Sequence, residues 1–172
     1  GELPQNIRVY PQDKFEHVLT KLSSPVRIDP SSIPHAINLI LQSVGINTVK
    51  SKDPIALAKA LKNTVEIKQA RVAHARDAAA MCEFLAWLDE QPIGKLSEID
   101  IVIALEKFRL ANPELIDISF DTISASGPNA ALPHYRVTYE TNRMLAMGET
   151  LLIDSGGQYL DGTTDITRTI AI

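Results

Sequence analysis

The sequence predicts an α+β chain, in which a first third alternates strand and helix and the remainder places long helices ahead of a set of strands. Three observations predict it. Short β-branched segments precede proline-punctuated helical stretches up to about residue 62, residues 63–91 carry a helical apolar period, and extended segments follow from residue 117. With 172 residues, 45% of them hydrophobic, and a formal net charge of -4, the composition is that of a packed protein rather than a disordered one.

Taken in order, "SPVRID" reads as a short strand. "PSSIPHAINLILQSVG" reads as a helix, with serine cap candidates, Pro34 in the first turn and Gly45 beyond the end. "INTVK" is a second strand, and in "SKDPIALAKALK" Asp53 stands as N-cap with Pro54 at the first helical position. This βαβα order predicts a layered α/β unit with parallel neighbours.

Asn63 and Glu66 have capping-box spacing and predict the start of a long helix. Its apolar stripe is read through Ile67, Ala70, Ala78, Met81, Leu85 and Leu88, with His74 and Asp77 in the gaps. Cys82, the single cysteine, permits no intrachain disulfide and is read as buried apolar filler on that helix, which fits a reducing compartment. Ser97 caps a second helix, "EIDIVIALEKFRLAN", closed by Pro113, and "DISFDTISAS" and "ETLLID" are extended. The change of texture near residues 62 to 66 predicts domains over 1–63 and 64–172.

Several function classes recede. No apolar run reaches the roughly 20 residues needed to cross a bilayer, and "GELPQNIRVY" lacks the blocks of a signal peptide, so a cytoplasmic protein without a membrane partner is expected. Interspersed lysines form no basic stripe, which argues against nucleic acid.

The chemistry-bearing residues lie toward the C-terminus, in "LLIDSGGQYLDGTTDITRTI". An acid ending an apolar strand, as Asp154 does, needs a cation or hydrogen-bond donors. Asp161-Gly162 signals a two-residue hairpin turn, which predicts Asp165 opposite Gln158. That register leaves Asp154 and Asp165 separated by roughly 13 Å of extended chain. The glycines of Ser155-Gly156-Gly157 are therefore read as a bulge that converges the two carboxylates. Converged carboxylates suit divalent cations, including pairs about 3.5 to 4 Å apart that activate water. A structural reading stands beside this one: Asp154 accepts backbone hydrogen bonds and Asp165 pairs with Arg168 or another base. The turn-rich "SGPNAALPHY" presents His134 after a strand, where functional side chains are common, whereas His17, His35 and His74 are read as structural.

"FDTISASGPNAALPHY" followed by "LLIDSGGQYLDGTTDITRTIAI" closely resembles the Xaa-Pro aminopeptidases of the creatinase and methionine-aminopeptidase group, the pita-bread metallopeptidases. "SKDPIALAKALKNTVEIKQARVAHARDAAAM" is similar to the segment that enters their catalytic domain, so the resemblance covers about residues 52 to 172. It implies an N-terminal α/β portion followed by the first half of a pita-bread catalytic domain. It also implies two divalent metal ions, usually manganese, held by two Asp, one His and two Glu in that chain order. Asp154 matches the first ligand, on one ion, and Asp165 the second, bridging both. His134 matches the histidine beside the substrate, while Asp161, Gly162, Thr163, Thr164 and Arg168 match as structural residues.

The implied reaction releases the N-terminal residue from a peptide with proline in second position, and the implied assembly is a homodimer. The His and Glu ligands have no counterpart before Ile172, which sets the expectation of a piece of a longer protein, inactive by itself. The rivals are an Xaa-Pro dipeptidase, a creatinase-like hydrolase and, from another class, a non-catalytic peptide- or protein-binding module of the same fold.

Overall fold

A computed structural model describes residues 3–172. The chain divides between Leu61 and Lys62 into two compact units.

In the first unit a 3-10 turn and the short helix α1 (Phe15–Leu19) precede β1 (Val26–Ile28), α2 (His35–Ser43), β2 (Thr48–Lys50) and α3 (Pro54–Ala60). β1 and β2 pair in parallel, from Val26 opposite Thr48 to Ile28 opposite Lys50, and α2 makes the crossover. Ile28, Leu41 and Ile46 form the small core, with Val26, Ile33 and Ile37 packed around it. Gly45, at φ +73°, ends α2 in the left-handed conformation that a helix C-terminus uses. Asp53 caps α3 by accepting the Ile55 N–H at 2.8 Å, with Pro54 first in the helix. The expected serine cap of α2 is absent. Pro34 occupies the N-cap without a side-chain bond, and Ser31 instead donates its N–H and hydroxyl to Asp29. α1 escaped the sequence because five largely exposed residues carry no legible period.

The second unit opens with α4 (Thr64–Asp89), whose capping box is reciprocal: Asn63 Oδ1 accepts the Glu66 N–H and Glu66 Oε2 accepts the Asn63 N–H. The same device, Ser97 with Asp100, starts α5 (Glu98–Leu110). There follow β3 (Asp117–Ile118), β4 (Ile123–Ser126), a 3-10 turn (Gly127–Ala131), β5 (Thr150–Ser155), β6 (Gly157–Gln158) and β7 (Ile166–Ala171). "DISFDTISAS" is thus two strands in two sheets: β3 pairs with β6, and β4, β5 and β7 form an antiparallel sheet with β5 in the middle.

The buried stripe of α4 runs through Ala73, Asp77, Ala80, Met81, Phe84 and Leu88, so Ala70, Ala78 and Leu85 lie half-buried at its margins, and Ile67, expected on the stripe, is exposed in the first turn. Cys82 is exposed, correcting its reading as filler: one residue past buried Met81 is about 100° round the helix, off the stripe. Met81, Phe84 and Leu88 of α4 and Ile101 and Leu105 of α5 pack on Leu151 and Ile153 of β5 and Ile166 of β7. The odd-numbered residues of β5 therefore face the helices, and Leu152 and Asp154 face the other way. On that second face Leu152 joins Ile123, Ala125 and Tyr135 in a separate apolar cluster.

Candidate metal and peptide site

Asp154 sits near the end of β5, directly opposite Thr167 of β7, whose hydroxyl donates to Asp154 Oδ1 at 2.8 Å. Ser155 is opposite Ile166, the Gly157 carbonyl accepts the Thr164 N–H, and Gln158 bridges Thr163. The residue count between these pairs is equal on both arms, so there is no bulge, and Asp165 lies opposite Gly156 rather than Gln158. The predicted register is wrong by two residues because Asp161-Gly162 is not a two-residue turn. Gly162 does not adopt positive φ, and the Tyr159 N–H donates to the Gly162 carbonyl, so the loop residues are Leu160 and Asp161, one position earlier than expected. A Cβ on Gly162 would stand 3.0 Å from Ala73 Cβ, so the glycine permits close approach of α4 rather than a tight reversal.

The true register brings the two acids together without a bulge. Asp165 is two residues before Thr167 on the neighbouring strand, which makes it the diagonal neighbour of Asp154, at a spacing of about 7–8 Å between backbones. Desolvation first, and then the adjacent Asp154 carboxylate, hold the Asp165 carboxyl above its ordinary value, with His74 opposing. Neither acid forms a salt bridge among the described residues. Arg168, the partner that the structural reading offered, donates instead to the Thr167 carbonyl. Two like-charged oxygen donors with no basic side chain between them fit a divalent cation, although no group of three or more potential ligands occurs among the described residues.

His134 is exposed in a turn beyond the 3-10 segment. It makes no hydrogen bond to either acid among the described residues, but its neighbour Tyr135 is buried in the cluster on the Asp154 face of the sheet. The Tyr135 hydroxyl and Asn129 Nδ2 converge on Glu98, a fully buried carboxylate at the first turn of α5. Glu98 also accepts the backbone N–H groups of Ser126 and Arg143. Burial first, together with the Glu98 carboxylate, raises the Tyr135 phenol, against the pull of Thr141.

Behind the two acids, on the helix side, lies a buried ion pair that sequence reasoning missed. Arg109 donates Nε to Asp77 Oδ1 at 2.6 Å and Nη2 to Asp77 Oδ2 at 3.1 Å, and both side chains are fully buried. Tyr159 and Thr164 donate their hydroxyls to the same carboxylate at 2.8 and 2.9 Å, and Arg109 Nη2 reaches Ser155 Oγ at 3.2 Å. Burial pushes Asp77 up, but the bonds from Arg109, Tyr159 and Thr164 outweigh it and hold the carboxyl below its usual value. The signal was present in the sequence. Asp77 lies on the apolar stripe of α4, and Arg109 continues the Ile101, Leu105 repeat of α5, so each had to be buried and paired. Asp161, read as structural, is gripped at the hairpin tip by Arg76 through two bonds of 2.9 Å.

A hairpin that brings two acids together on a sheet backed by two helices belongs to a known class of metallopeptidase domain by sequence. The profile of metallopeptidase family M24 covers residues 68–172, and the chain belongs to that family. It is 42% identical to the Xaa-Pro aminopeptidase ApepP of Drosophila melanogaster, over 91% of this chain and 25% of that protein. It is 38% identical to Xaa-Pro aminopeptidase 1 of Dictyostelium discoideum, over 99% of this chain and 28% of the relative.

Among solved structures, the X-prolyl aminopeptidase of Caenorhabditis elegans, described as a cytosolic enzyme with a di-nuclear active site, superposes with TM-score 0.82 at 33% identity. That match covers 96% of this chain and 28% of the nematode protein. An X-Pro aminopeptidase of Thermotoga maritima shares the fold at TM-score 0.75 and 23% identity. The chain thus spans about a quarter of the length of the fly, slime-mould and nematode relatives, and its fold is α+β with a partial pita-bread domain.

Proposed function

We propose that this chain is part of a metal-dependent aminopeptidase that releases the N-terminal residue from peptides with proline in second position. The observation that carries the reading is the diagonal pair Asp154 and Asp165, two carboxylates without a salt-bridge partner among the described residues, converged by an unbroken hairpin register in a chain 42% identical to a named Xaa-Pro aminopeptidase. Residues 1–63 belong to the end of a preceding α/β domain and residues 64–172 to the first half of the catalytic domain. Asp154 and Asp165 would hold the divalent ions, Asp154 as a ligand of one and Asp165 as a ligand shared by both, with Mn2+ as the native metal. When bound, two such cations supply a nucleophile at neutral pH and polarise the scissile carbonyl.

The chain's own residues do the rest. Thr167 orients Asp154 by donating to Oδ1, which leaves the other carboxylate oxygen free to ligate. His134, next in sequence to Tyr135 of the cluster on the Asp154 face, would contact the bound peptide and steady charge or relay a proton at the scissile bond. Because proline's nitrogen carries no N–H, recognition of the second residue rests on ring shape. The active form is a cytoplasmic homodimer.

The test is Mn2+-dependent hydrolysis by the full-length gene product. An Xaa-Pro-Xaa tripeptide should be cleaved after its first residue, Asp154→Asn should abolish turnover, and the 172-residue chain alone should be inert. Preference for an Xaa-Pro dipeptide over the tripeptide would make it a dipeptidase. Peptide binding without hydrolysis in any divalent metal would make it a binding module.

A further inference from the structure

The Asp77–Arg109 pair touches the hairpin at two places only one residue away from the two acids. Ser155, which follows Asp154, accepts from Arg109 Nη2, and Thr164, which precedes Asp165, donates to Asp77 Oδ2. Side chains alternate across a strand, so each acid points to the open face while its neighbour points back to the buried pair. The pair is therefore a clasp across both arms, set directly behind the acids. Thr164 Oγ1 does a second task, accepting the Gly157 N–H at 2.8 Å where a ladder bond would otherwise run. Tyr159, at the base of the loop, donates to Asp77 Oδ1 and closes the set.

A buried ion pair of this kind adds little stability over an apolar replacement of equal size, and Arg109 Nη1 has no hydrogen-bond partner among the described residues. What the pair does supply is fixed geometry: four donors converge on one carboxylate and allow the two arms a single separation.

We propose that the buried Asp77–Arg109 pair, acting through Thr164 and Ser155, is a positioning device that sets the spacing of Asp154 and Asp165 and so the affinity for divalent cations. This rests on reading Asp154 and Asp165 as cation ligands. Thr164 is then a positioning residue rather than a ligand, and its hydroxyl, not its methyl group, carries the effect.

The experiment uses the full-length protein, stripped of metal with a chelator, and titrates Mn2+ alone while free Mn2+ is followed by electron paramagnetic resonance. Thr164→Val keeps the shape and loses the hydroxyl, and it should weaken Mn2+ binding about 10-fold or more, the effect typical of outer-shell partners. Thr164→Ser loses the methyl and keeps the hydroxyl, and it should bind within about threefold of the parent even where its melting temperature is lower. Tyr159→Phe removes a different donor to the same carboxylate. It should shift affinity in the same direction and decides the matter if Thr164→Val does not fold.

Asp154→Asn separates the two levels of the argument. If it binds Mn2+ as tightly as the parent, the ligand assignment fails and the positioning role fails with it. If Asp154→Asn abolishes tight binding while Thr164→Val binds like the parent, or while Val and Ser weaken binding equally, the assignment stands and the positioning role is overturned.

Discussion

Replacing Glu98 by glutamine changes one oxygen to an NH2 group, and the structure allows its cost to be worked out. Oε1 accepts the Ser126 N–H at 2.6 Å together with Ser126 Oγ and Asn129, while Oε2 accepts the Arg143 N–H at 3.2 Å and the Tyr135 hydroxyl at 3.0 Å. Either orientation of the amide turns an NH2 group toward a backbone N–H that cannot rotate away. The longer Arg143 contact is the weaker, so the amide nitrogen goes there, and Tyr135 can turn its proton to the Thr141 carbonyl at 3.2 Å.

One orphaned, partly buried N–H costs about 1–3 kcal/mol, which sets the expected loss for Glu98→Gln near 2 kcal/mol. Glu98→Ala orphans the Ser126 and Arg143 N–H groups together and should lose about 4 kcal/mol. Urea unfolding reports both, with the single tryptophan, Trp87, as probe: its ring lies 5.8 Å from Phe84, itself part of the core. A loss below about 0.5 kcal/mol for Glu98→Gln, or equal losses for the two variants, would refute the account of Glu98 as an acceptor hub.

Gly156→Ala should be among the costliest single substitutions in the hairpin. Its Cβ would stand 1.9 Å from the Thr164 carbonyl oxygen, a backbone atom, and the expected loss of about 3 kcal/mol appears as a lower melting temperature than that of Gly157→Ala, which meets only side-chain ends. Arg76→Ala breaks a partly exposed clamp on Asp161 and Glu114, and urea unfolding should register about 1 kcal/mol or less. Acid supplies a further check. Asp77 titrates below its ordinary 3.8 in the folded chain, so its contribution is full above that pH and is lost as pH falls through the lower folded value. The urea midpoint of Asp77→Asn should accordingly fall less steeply than the parent's below pH 3.8, and parallel curves would count against the ion pair.

Local rules carried the sequence a long way. The caps at Asp53, Asn63 and Ser97 were legible because each uses a side chain two or three residues from its target. Asp154 and Asp165 were singled out from the strand pattern and then by resemblance, and their convergence was inferred through a bulge that does not exist. Turn chemistry at Asp161-Gly162 suggested one register, and packing of α4 against Gly162 imposed another. The Asp77–Arg109 pair was missed for a related reason: Asp77 was read only as a gap in the stripe of its own helix, Arg109 was not singled out, and their partnership spans 32 residues of chain.

α4 meets the C-terminal hairpin through Asp77 and Thr164, positions 87 residues apart. The hairpin arms are close in sequence and find each other quickly, whereas docking onto the helix must close that long loop first. The two acids therefore acquire their final spacing late, after secondary structure has formed and only as the helix layer settles onto the sheet. With the two acids as the proposed cation ligands, cation capacity would mark completed folding, and metal added early in refolding should be taken up at the pace of the slowest tertiary step rather than at that of hairpin formation.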